Sequence, residues 1–194
     1  MTGAPPSDYR LAVPGGWFRI ALDPELREKR IAAFVEDRFR GIDNVPQMKR
    51  DLRDQLCAQA ASAYASGGTE LYLSMVTAGN VPLAASLVVF YVPAPPGGSH
   101  PPLEQVLQTV TTGEAELIDL PAGTALRHHY RERPHPDDPA SMGITTLVTH
   151  LNIQVPVPQT RGHLLLAFST PMEPLADAFT ELFDQIARTL KWVP

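Results

Sequence analysis

Apolar residues recur at two spacings along this chain, and the switches between them outline most of its elements. Residues 9–13 and 17–22 are strand-like and are joined by Pro14-Gly15-Gly16, so they predict an opening hairpin. Asp23-Pro24 predicts a helix start, because Asp caps free N–H groups and Pro suits the first helical position. Ile31, Phe34, Val35 and Phe39 form that helix's apolar stripe. A second helix after Asn44 carries Met48, Leu52, Leu56, Ala60 and Ala63 on one face and stops at Gly67-Gly68. Both stripes read as core. Residues 69–77 alternate through Leu71, Leu73 and Met75, whereas 83–92 are apolar on both faces and predict a central strand covered on both sides.

A Pro/Gly loop over 94–102 leads into a helix over 102–110 and a short strand over 115–120. Two longer strands follow. In 124–133, Leu126, His128 and Tyr130 point one way and Arg127, His129 and Arg131 the other. In 144–155, Leu147, Leu151, Ile153 and Val155 oppose His150, Asn152 and Gln154. The linker 134–143 is a loop, and 163–169 is another strand. Leu175, Phe179, Leu182, Phe183, Ile186 and Leu190 define a strongly amphipathic final helix. The predicted order is ββααββαββββα, an α+β fold in which an antiparallel sheet is sandwiched between helices. Residues 1–8 read as a frayed tail and 9–194 as one domain.

The opening Pro14-Gly15-Gly16-Trp17 hairpin, the antiparallel strands and the C-terminal helix together resemble the PsbP-like superfamily. That group includes photosystem oxygen-evolving subunits, a yeast Ran-binding import factor and actinobacterial LpqN-type lipoproteins. The segment from Val155 through Arg161-Gly162-His163 to Pro171 looks like the closing hairpin of uncharacterised actinobacterial relatives, and 182–192 like their last helix. The resemblance implies a binding or accessory protein that docks onto a larger assembly, a secretion-associated one being a candidate. It supplies no catalytic motif to carry over.

Composition narrows the function further. Sixteen Lys and Arg against 21 Asp and Glu give a net charge of −5, which argues against general binding to nucleic-acid phosphates. The single Cys57 closes no internal disulfide. No basic segment followed by an apolar stretch opens the chain, and the apolar run 83–92 is half the ~20 residues of a membrane helix. A cytoplasmic protein without membrane insertion is therefore expected.

Candidate chemistry is sparse. There is no Gly-x-Ser-x-Gly, Walker or Gly-x-Gly-x-x-Gly motif, so neither a nucleophile elbow nor a cofactor is expected. The acid pairs Glu114/Glu116 and Asp137/Asp138 read as solvated. His129 and His150 on one face, with Glu132 or Asp137 nearby, would be the start of a metal-dependent hydrolase, but zinc needs three or four converging ligands and no metal site is expected. The better candidate is a polar strand face of Arg127, His129 and Arg131 beside His150, Asn152 and Gln154, suited to an anion or an acidic protein surface. The leading expectation is a non-enzymatic protein-interaction domain with another protein as partner, compatible with homo-oligomers. A small-ligand or anion-binding domain using that basic face is the alternative.

Overall fold

A computed structural model describes residues 4–42, 44–135 and 145–194. The fold is mixed α+β, with four helices and a large antiparallel sheet. The sheet strands are β2 (Trp17–Ala21), β3 (Gly68–Ser74), β6 (Ser86–Val92), β7 (Glu114–Leu120), β8 (Gly123–Glu132), β9 (Val148–Pro156) and β10 (His163–Thr170). They lie in the order β2-β3-β6-β10-β9-β8-β7, every neighbour antiparallel. A small hairpin, β4 (Thr77–Ala78) and β5 (Val81–Pro82), interrupts the path from β3 to β6.

The opening segment departs from the predicted hairpin. β1 (Asp8–Arg10) pairs with β11 (Lys191–Val193) at the other end of the chain, placing Tyr9 opposite Trp192. Its apolar side chains find their burial there, since Tyr9, Leu11, Val13 and Trp192 all pack on the main core. Trp192 also donates its indole N–H to the Ala122 carbonyl at 2.8 Å. Ser7 and Asp8 are tied down too, because the Ser7 amide donates to Val193 at 2.9 Å. β2 takes β3 as its partner instead, with Ile20 opposite Leu71.

Helices cover the two sheet faces unequally. On the first face, α4 (Ala176–Arg188) lies over β9 and β10. Its Phe179, Phe183 and Ile186 are buried against Leu151, Ile153, Leu166 and Phe168, and the Phe183 and Phe168 rings stack 4.8 Å apart. On the second face, α1 (Pro24–Arg38) and α2 (Pro46–Ala65) cover β2 and β3 around Ile20, Leu71, Phe34 and Leu56. Asp23 caps α1 by accepting the Glu25 amide at 2.9 Å. At the far end, α3 (Leu103–Thr109) lies against β7 and β8, where Leu103 and Leu126 are buried.

Gly67 closes α2 at φ +89°, where a Cβ would sit 2.9 Å from the Tyr91 carbonyl, so the helix-to-strand turn requires glycine. The α4 stripe supplies the buried aromatic centre of the main core. Phe183→Ala, at a fully buried ring, is expected to cost about 3–5 kcal/mol in urea unfolding. A loss below about 1 kcal/mol would show that the stripe carries little of the core.

Candidate functional site

In a strand, successive side chains alternate between faces, so cross-strand register decides which residues meet. β8 pairs with β9 through Arg127↔Ile153, His128↔Asn152, His129↔Leu151 and Tyr130↔His150. The expected union of Arg127, His129 and Arg131 with His150, Asn152 and Gln154 is therefore corrected, since the two sets occupy opposite faces. The same register separates His129 from His150 and removes the geometry of a metal-dependent hydrolase built on that pair. Among the described residues, no group of three His, Cys, Asp or Glu side chains converges for a metal. Asp137 and Asp138 lie outside the described residues, as does the start of the predicted 144–155 strand.

The basic stripe faces α4 and is engaged by it. Arg127 grips Asp184 with two donors, Nε to Oδ1 at 2.9 Å and Nη2 to Oδ2 at 3.0 Å, and approaches Glu116 at 3.4 Å. Arg131 donates to Asp177 at 3.0 Å. The match follows from geometry. The seven helical steps from Asp177 to Asp184 rise about 10.5 Å, close to the roughly 13 Å from Arg127 to Arg131 along a strand. With its side chain only 14% exposed, Arg127 holds the margin of α4 onto the sheet and is not presented to an external anion or acidic partner. Its guanidinium is held above its ordinary pKa, chiefly by the Asp184 hydrogen bonds. His129 sits between the arginines with Nε2 buried and unpartnered. Burial, then Arg127 and Arg131, push its pKa down, so it stays neutral.

His150 and Asn152 instead join a row on the second face. Tyr130, His150, Ser169 and Ser86 are consecutive cross-strand neighbours on β8, β9, β10 and β6. The Tyr130 ring stacks between His150, 4.8 Å away, and His128, 4.7 Å away. His128 is oriented by its Nε2, which donates to the Thr112 carbonyl at 2.8 Å. His150 Nε2 lies 3.4 Å from Glu132 Oε1 without a hydrogen bond. Burial pushes the His150 pKa down against the opposing pull of Glu132. Burial and Glu132 push Tyr130 up, partly offset by Asn152. Ser86 and Ser169 hydroxyls bond each other at 2.8 Å. At the other end of β9 and β10, Gln154 donates to His163 Nδ1 at 2.9 Å, and His163 stacks on His100 at 4.4 Å.

Between these ends the described residues cover the second face less completely than α4 covers the first. Along β9 and β10 every first-face residue from Leu151 to Val155 and from Leu164 to Phe168 is buried, while Asn152, Gln154, Leu165, Ala167 and Ser169 are half-exposed. Phe90 of β6 is half-buried beside them, whereas Val88 packs on the core beneath α1 and α2. Tyr130, Ser86 and Ser169 escaped the sequence reading because only the register joins them to His150.

Concavities elsewhere are shallow. One of about 630 Å³ lies at the α1–α2 corner, lined by Phe18, Phe39, Ile42, Glu36 and Lys49 among others, and one of about 380 Å³ lies by Leu103, Ala122 and Pro156. No described helix is long and apolar enough to cross a membrane. Comparison with protein-family models and with curated protein sequences finds no match.

The buried imidazoles make stability depend on pH. Burial holds His129, His150 and His163 below their ordinary pKa in the folded chain. As pH falls below about 6.5, the unfolded chain takes up protons that the folded chain resists, and stability is lost. Urea unfolding is expected to show lower stability near pH 5 than near pH 7.5, with a smaller loss in His150→Gln. An equal loss in that variant would remove His150 from the account.

Proposed function

We propose that this chain is a protein-docking domain whose partner contacts the middle of the second sheet face, over β9 and β10. The observation that carries this reading is the burial contrast within those two strands. One face is sealed by α4, whereas the other, flanked by α2 and α3, leaves Leu165, Ala167 and Phe90 accessible beside Asn152, Gln154, His150 and Tyr130. Apolar floor and hydrogen-bonding rim in one patch is the composition of a non-obligate protein interface. The neutral state of His150 lowers the desolvation cost of covering it. The likeness in element order to PsbP-like proteins, whose better-known members dock onto larger assemblies, supports the same reading.

A small-ligand domain is the second reading, favoured by the unpartnered Nε2 of His150 beside the Tyr130 ring. It uses the second-face row, not the basic stripe.

Ala167→Arg tests the docking surface, because position 167 is small, half-exposed and central, with Val88 and Asn152 as cross-strand neighbours. Proteins recovered with the chain from its native cell are expected to fall about tenfold, a loss of about 1.4 kcal/mol in binding. The exposed α1 variant Glu28→Lys is expected to retain them. Unchanged recovery with Ala167→Arg, in a variant whose thermal unfolding matches the parent, would contradict the reading.

A further inference from the structure

We infer that the outer edge of β7 accepts an extended, Lys- or Arg-bearing segment of a partner protein as an eighth strand of the sheet. This concerns a different surface from the second-face patch and stands or falls apart from it. β7 is the last strand of the sheet, and no backbone hydrogen bond joins its outer side to another described element. Alternate residues of an antiparallel edge strand turn their N–H and C=O groups outward, and such an edge templates strand addition unless it is blunted. The three exposed acids of β7 are what blunts this edge, repelling acidic or identical strands while leaving it open to a cationic one. β7 runs seven residues in unbroken register with β8 and contains neither Pro nor Lys. Gly113, at φ +73°, lets the chain enter the strand, since a Cβ there would meet the His129 carbonyl at 2.2 Å.

Charge selects the occupant. Glu114, Glu116 and Asp119 are exposed along this one strand. On the first face Glu114 lies opposite His129 and Glu116 opposite Arg127, which Asp184 of α4 holds with two hydrogen bonds and which reaches Glu116 only at 3.4 Å. Glu114 and Asp119 form no ion pair among the described residues. A second copy of β7 would bring the acids of both chains to one seam, which like-charge repulsion disfavours. A strand with cations at alternate positions would instead set them opposite Glu114 and Glu116, about 5 Å across the ladder.

A labelled peptide of alternating Lys and Val, about eight residues long, tests this by fluorescence anisotropy and hydrogen exchange. The intact protein is expected to bind it, with added protection confined to the amides of β7. The same peptide N-methylated at alternate residues, unchanged in charge but stripped of donors on one edge, is expected to bind at least about tenfold more weakly. Glu114→Lys is expected to weaken the unmodified peptide as well. Equal affinity for the two peptides would reduce the effect to charge attraction and overturn the proposal. Absence of binding, protection located elsewhere, or dimers of the protein sealed through β7 would overturn it too.

Discussion

The burial of the α4 apolar stripe on β9 and β10 is the contact on which the rest of this structure depends. Phe179, Phe183 and Ile186 remove the first face of the central strands from water, and the Phe183–Phe168 stack sits at its centre. Once that face is assigned, the two-residue period of a strand fixes the destination of every other side chain on β8, β9 and β10. Arg127, His129 and Arg131 are drawn under the helix margin, and Tyr130, His150 and Asn152 are turned away from it.

The same contact explains why the most conspicuous charges in the chain are structural. An arginine fork closed on a carboxylate is two charge-assisted hydrogen bonds in one plane, and a partly covered one is screened less than a surface pair. Arg127–Asp184 has that form, whereas Arg131 adds a single hydrogen bond to the exposed Asp177. The Arg127–Asp184 fork agrees with the rotation that the buried phenylalanines give α4, with its polar margin toward β8. The basic stripe is thus turned toward α4 on the first face, and His150 and Asn152 lie on the face behind it.

Much of the architecture was legible in the residues. The four helices follow from stripes such as Ile31-Phe34-Val35 and Phe179-Phe183-Ile186, and the sheet from alternation and from the two-sided apolar run ending at Val92. The candidate site was half legible. Alternation alone placed His150 with Asn152 and Arg127 with Arg131, but which set of β8 meets which set of β9 depends on register across a long connection. A shift of one residue exchanges Tyr130 for His129 opposite His150. The pairing of Asp8–Arg10 with Lys191–Val193 was likewise beyond local pattern, because its reason is a shared core contact between the two chain ends. The partners of the α4 acids Asp177 and Asp184 follow only from the strand beneath them.

The central claim is that β9 and β10 have one sealed and one accessible face, and thiol labelling reads that directly. In a Cys57→Ser background, Asn152→Cys and Ala167→Cys would place single thiols on the second face, and Leu151→Cys and Leu166→Cys would place them under α4. The account predicts that the first two react with a soluble thiol reagent in the native protein, while the other two react only through unfolding. Equal protection at all four positions, or reaction at 151 and 166 under native conditions, would contradict it.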